Sequence, residues 1–201
     1  MSKQFKMPRN RTEWLRLIVI AVIVLMAAIF YPEQTKQTPT RQHDAPSSEQ
    51  VDGKRIPVKF VRVVDGDTII VRYNQREQRV RYLMIDTPES VKEGIKEQPF
   101  GKESARRNKE LLKSAGQIYL EFDKGPRTDD YDRLLAYVYA DDLLVPEQLL
   151  LEGLASVAYV NPPNNTREAQ FRDAQAKAKQ QRLNIWSIDN YVKPNGKFNQ
   201  Q

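Results

Sequence analysis

Cysteine is absent from the 201 residues, and histidine occurs once, at His43. Without cysteine there is no disulfide framework, no thiolate nucleophile and no zinc–thiolate site. A lone histidine in a polar stretch builds no multi-histidine metal site. Acid–base work therefore falls to carboxylates, tyrosine or lysine. A domain of this size needs no covalent staples, so an oxidising compartment stays open to it. No internal repeat is evident. The excess of one charge sign is small: the formal net charge is +6, and beyond Gln50 there are 25 basic and 22 acidic residues. That balance fits a polyanion partner without requiring one.

One unbroken apolar run is present, Leu17 to Tyr31, preceded by Lys3, Lys6, Arg9, Arg11 and Arg16 against the single acid Glu13. A basic leader ahead of such a run predicts membrane insertion with a cytoplasmic N-terminus. The run is shorter than the roughly 20 residues that span a bilayer, and Trp14 and Leu15 extend it if Arg16 snorkels. Ala27-Ala28 lacks a small residue two positions before either alanine, which favours an uncleaved signal anchor over a secreted product. Either outcome exports the remainder of the chain. Pro32 to Gln50 has almost no large apolar residue and reads as a flexible tether. The expected organisation is a leader and anchor over 1–31, a linker over 32–54, one domain over 55–188 and a polar tail over 189–201.

From Ile56 the pattern becomes β. Ile56 to Val64 and Thr68 to Tyr73 are β-branched runs around an Asp65-Gly66 hairpin signal, and Gln78 to Ile85 is a third strand after a turn. Pro99 to Ala115 reads as a helix, with Gly116 beyond its end. Gln117 to Phe122 and Leu134 to Ala140 add two strands. Pro146 to Leu154 and Thr166 to Arg182 add two helices, the last with Thr166 as its expected N-cap. Five early strands with three helices predict an α+β domain, and a small closed OB-type barrel is the economical way to hide their edges.

Chemistry concentrates at Asp65-Gly66-Asp67-Thr68, Arg81 and Asp86-Thr87-Pro88-Glu89, and again at Asp129-Asp130-Tyr131-Asp132-Arg133. Taken singly, Asp67 and Asp86 read as turn residues, Glu89 as surface charge and Arg133 as half of a surface salt bridge. Together they suggest a metal-assisted reaction at a phosphate. Asp67, Asp86 and the Thr87 carbonyl offer hard oxygens suited to calcium rather than zinc or copper. Glu89 is then the carboxylate left to act on water. Arg81 and Arg133 offer planar forks for phosphate oxygens. Strict strand alternation places Arg81 and Asp86 on opposite faces, so they converge only if the strand ends or bends between them.

The ordered set VDGDTI, RYLMIDTPES, EFDKGPRTDDYDRLLAYVYAD, EGLASVAYV, PPNNT and LNIW, spanning Val58 to Ser187, resembles the staphylococcal nuclease (thermonuclease) family. The resemblance implies a five-stranded OB-type barrel with three helices. It implies calcium-dependent hydrolysis of DNA and RNA, with little sequence preference and 3′-phosphate ends. Asp67, Asp86 and the Thr87 carbonyl match the family's calcium ligands, Glu89 its proposed general base, and Arg81 and Arg133 its phosphate-binding arginines. Tyr131 matches a tyrosine that bonds a nucleotide's terminal phosphate, and Tyr159 one that packs beside the base. A monomer acting on single-stranded or denatured nucleic acid is expected, membrane-held outside the cytoplasm or secreted.

Departures from the family pattern cluster at the substrate positions. Tyr-Gly-Arg becomes Tyr131-Asp132-Arg133, and a lysine before it becomes Asp130. A second nucleotide-contacting aromatic becomes Asn161, and a following lysine becomes Pro162. One added charge about 6 Å from a phosphate costs roughly 3 kcal/mol at an effective dielectric near 20, less in salt. None of these changes removes an expected metal ligand, the base or either arginine. The competing reading is a non-catalytic nuclease-like module that binds nucleic acid or protein at the cell surface.

Overall fold

The computed structural model describes residues 54–90 and 97–199. The anchor and the tether expected before Lys54 lie outside them. Among the described residues, no helix is long and apolar enough to cross a membrane.

The β-branched runs pair as hairpins. β1 (Ile56–Val63) and β2 (Thr68–Tyr73) are antiparallel, with Phe60 opposite Val71 but Arg62 opposite Ile70. The register shift leaves Val61 as an extra residue, a bulge that bends β1 so that its first half can pair elsewhere. Asn74 and Gln75, both at positive φ, turn the chain into β3 (Arg76–Tyr82), which pairs antiparallel with β2. β5 (Ile118–Glu121) returns to the start of β1, and β6 (Leu134–Ala140) pairs with β5. β6 also pairs in parallel with β3, Val80 opposite Leu134 and Tyr82 opposite Ala136. That last ladder closes five strands into a barrel and removes the open edges.

Inward positions of these strands supply the core: Ile69, Val71, Val80, Leu120, Ala136 and Val138 are fully buried. Each large apolar side chain buried this way contributes roughly 1.5–3 kcal/mol. Three helices are present among the described residues: α1 (Gly101–Ser114), α2 (Val145–Leu151) and α3 (Glu168–Gln180). α3 inserts Phe171 edge-on against Tyr137 of β6, with ring centroids 5.9 Å apart.

Three features depart from the expected elements. The third strand stops at Tyr82, and Met84 takes a left-handed φ of 59°. The chain then restarts as the two-residue strand β4 (Ile85–Asp86), which pairs with β8 (Ser156–Val157) outside the barrel. A further short strand, β7 (Leu143–Leu144), pairs antiparallel with the end of β6. Thr166 does not cap α3: Arg167 occupies the N-cap position without a side-chain cap. The Thr166 amide instead donates to Asp123 Oδ2 at 3.0 Å, and the Tyr137 hydroxyl donates to the same oxygen at 2.6 Å. A long-range carboxylate thus outcompetes local capping.

The stretch expected as a polar tail buries two aromatic rings. Tyr191 and Phe198 pack 5.2 Å apart, the Tyr191 hydroxyl donates to the Pro99 carbonyl at 2.8 Å, and Val192 pairs with Phe198. Residues 191–199 therefore form a small hairpin seated on the barrel's flank, against β8.

Candidate active site

β2, β3 and the bend after β3 build one wall of a cleft of about 630 Å³. Asp67 sits just before β2, held by its neighbours: Oδ1 accepts from the Thr68 hydroxyl at 3.1 Å, and Oδ2 from the Thr87 amide at 3.0 Å. Arg81 lies opposite Thr68 in the β2–β3 register, which places its guanidinium 2.9 Å from Asp67 Oδ2. The same guanidinium nitrogen donates to the Ile85 carbonyl at 2.9 Å, and the other arm reaches Asp86 Oδ1 at 3.1 Å. The left-handed turn at Met84 is what resolves the alternation problem, by carrying Asp86 back to the face Arg81 occupies. Gly66 allows the Asp65-Gly66 turn to press on this wall, since a Cβ there would lie 2.6 Å from Thr87 Oγ1.

Three acids crowd one guanidinium here. Burial, reinforced by the charge of Asp67, pushes both Asp65 and Asp86 up to about 7. For Arg81, burial opposes the charge, but Asp67, Asp86 and Asp65 outweigh it and raise its pKa. The cluster therefore holds more carboxylate than its single cation can neutralise. A hard divalent cation would supply the missing charge, and the donor set of Asp67, Asp86 and the oxygens of Thr87 fits one. Among the described residues, no three acids surround a common point, and Arg81 pairs with both Asp67 and Asp86.

The second wall is the loop between β5 and β6. Asp129 Oδ1 accepts from the amides of Tyr131 and Arg133, each at 3.0 Å, while Oδ2 accepts from Arg133 Nε at 2.8 Å. This pairing holds the Asp129 carboxyl below its ordinary range despite partial burial, which acts the other way. Asp132 takes a φ of 56° at the position where the family pattern has glycine. Aspartate tolerates that conformation better than most side chains, which explains how the substitution is accommodated. Tyr131 is 79% exposed and Tyr159 49% exposed. Each ring has an arginine over it, Arg133 over Tyr131 and Arg81 over Tyr159, both at 5.4 Å.

All eight residues singled out in the sequence line this one cleft: Asp67, Arg81, Asp86, Thr87, Glu89, Tyr131, Arg133 and Tyr159. The Glu89 backbone is fixed by Gln98, whose side-chain carbonyl accepts from the Glu89 amide at 2.8 Å and whose own amide donates to the Glu89 carbonyl at 3.0 Å. Gln98 escaped the sequence reading, and Asp129, named there within the polar loop, was given no separate role. An acid four residues before Arg133 was the available signal for Asp129, and Gln98 had none.

Comparison with known proteins identifies the family. A family model described as staphylococcal nuclease homologue matches residues 79–188. Endonuclease YncB of Bacillus subtilis (strain 168) is 51% identical over 143 residues, covering 71% of this chain and 67% of that protein. The SPbeta prophage-derived endonuclease YokF of the same organism is 52% identical over 141 residues, 70% of this chain but only 47% of its own length. The thermonuclease of Staphylococcus intermedius is 40% identical over 140 residues, covering 70% of this chain and 80% of that protein. With the matched barrel, cleft and relatives in agreement, the chain belongs to the staphylococcal nuclease family and is a hydrolase of the nuclease type.

Proposed function

We propose that this nuclease is a calcium-dependent endonuclease that hydrolyses DNA and RNA without sequence preference and leaves 3′-phosphate ends. The observation that carries the reading is the meeting, in one cleft, of an under-neutralised acid cluster, a separate glutamate and two arginines on facing segments. Asp67, Asp86 and Thr87 would hold the calcium, which when bound supplies positive charge beside the phosphoryl oxygens. Arg81 and Arg133 bind those oxygens and gain strength as charge builds on them, stabilising the transition state more than the ground state. Glu89 accepts a proton from the water whose oxygen bonds to phosphorus. The bond to the 5′-oxygen breaks, and that oxygen leaves with the bonding pair and takes its proton from solvent water. Tyr131 and Tyr159 flank the path of the strand as phosphate and base contacts.

The exposed rings favour unpaired bases, which present a face for stacking, so single-stranded or denatured substrate is preferred. The basic leader and apolar run support a protein held at the membrane with this domain on the extracytoplasmic side, or secreted after cleavage. Purified protein should digest heat-denatured DNA and RNA with calcium and stop on chelation. Glu89→Gln should lower turnover by about 10²–10⁴. Digestion that continues in chelator, or a Glu89→Gln variant of near-normal turnover, removes the assignment.

A further inference from the structure

Lys197 stands far from the motifs that carry the chemistry, in a stretch the sequence offers only as polar. The fold brings it to the cleft. Its ammonium lies 4.9 Å from the centre of the Tyr159 ring, and the Arg81 guanidinium lies 5.4 Å from the same centre. One half-exposed ring thus carries two cations, one from the barrel and one from the hairpin over 191–199. Lys197 is itself exposed, and among the described residues its ammonium meets this ring and no carboxylate at ion-pair distance.

The placement is built rather than incidental. The Lys193 carbonyl accepts from the Gly196 amide at 2.9 Å, and the Lys193 amide donates to the Lys197 carbonyl at 2.8 Å, closing a tight turn. Gly196 takes a φ of 82°, and a Cβ there would lie 2.1 Å from the Val157 carbonyl oxygen, so the turn rests directly on β8. The Ser156 hydroxyl donates to the Gly196 carbonyl from the same strand. β8 in turn pairs with β4, which carries Asp86. A continuous backbone path therefore runs from the acid cluster through β8 to the residue next to Lys197.

We propose that Lys197 is a substrate-binding residue that takes a second backbone phosphate of a single-stranded polynucleotide, beside the one bound by Arg81 and Arg133. An exposed ammonium beside a half-exposed ring that lines the cleft suits a strand whose base packs beside the ring and whose phosphate meets the cation. The inference rests on the nuclease reading, because it assigns a contact with that substrate.

The test compares Lys197→Ala, Lys197→Arg and the control Lys193→Ala, which alters an exposed cation on the same hairpin. Cleavage of a labelled single-stranded DNA oligonucleotide with calcium would be measured from low to moderate salt, alongside anisotropy binding of the same oligonucleotide in chelator. Lys197→Ala should raise KM about three- to tenfold, with kcat within about twofold. It should also flatten the plot of log affinity against log salt by about 0.7, the value of one phosphate contact to a single strand. Lys197→Arg should restore both values, and Lys193→Ala should leave both unchanged. An unchanged KM and salt slope in Lys197→Ala overturns the inference and leaves the nuclease reading intact. So does an equal effect from Lys193→Ala, which would mean diffuse charge. Failure of the parent protein to cleave while still binding removes the nuclease reading, and the chelator measurement then decides Lys197 alone.

Discussion

Arg81 and Arg133 line the same cleft and are assigned the same task, yet they are held in opposite ways. Arg81 has a side chain only 12% exposed and reaches across two strands and a bend to Asp67, Asp86 and the Ile85 carbonyl. Arg133 is 28% exposed and leans on a single carboxylate four residues back in its own loop. The first arginine is part of the barrel's cohesion. The second is an attachment to it. A nuclease site can therefore couple its chemistry to its stability on one wall and separate them on the other.

The largest expected effect tests that coupling. Arg81→Ala should lower turnover by about 10²–10³ and also destabilise the domain by about 3 kcal/mol, because it strands buried carboxylates without their cation. Turnover and denaturant midpoint, measured together, check both halves. Arg133→Ala should lose turnover similarly, about 10²–10³, while costing less than ~1 kcal/mol of stability, as for a partly exposed pair. Equal stability losses in the two variants would erase the contrast. Next in size is Asp129→Asn, which retains an acceptor for the loop amides but gives up the ion pair. A roughly ten- to hundredfold fall in turnover, with the fold unchanged, is the outcome if Asp129 aims Arg133.

The smallest effect is a pH dependence confined to the buried wall. Burial, then the charge of Asp67, raises Asp86 from 3.8 to about 7 in the metal-free fold. A group raised on folding contributes stability below its unfolded pKa and loses it as pH rises through the folded value. In chelator, Asp86→Asn should therefore gain on the parent in melting temperature from pH 4 to pH 8. Calcium should stabilise the parent more at pH 8 than at pH 5.5, and should do so less for Asp86→Asn. A difference that stays flat with pH would show that Asp86 is ionised throughout.

How much of this was legible beforehand follows the range of each interaction. The barrel strands declare themselves through β-branched runs bounded by turn residues, and the eight cleft residues through the order of their motifs. The bend at Met84 does not, because nothing in its side chain announces a positive φ. β4 and β8 are two residues long, too short for any periodicity. Thr166 sits where a cap belongs, and only Asp123, 43 residues away, explains why it serves elsewhere. Lys197 reads as surface charge until Gly196 is seen lying on Val157. For Thr166, for the β4–β8 pair and for Lys197 the deciding partner is distant in sequence and invisible to local pattern.

The guanidinium of Arg81 also donates to the carbonyls of Tyr82 and Ile85, which fastens the bend between β3 and β4. Descendants of such a gene are therefore not equally free to lose each part of the reaction. Mutational drift toward a silent paralogue would strike the Asp129–Arg133 loop before Arg81, since that loss leaves the barrel's own cohesion in place. A pseudoenzyme that had discarded Arg81 would need a replacement rivet before it could discard the chemistry.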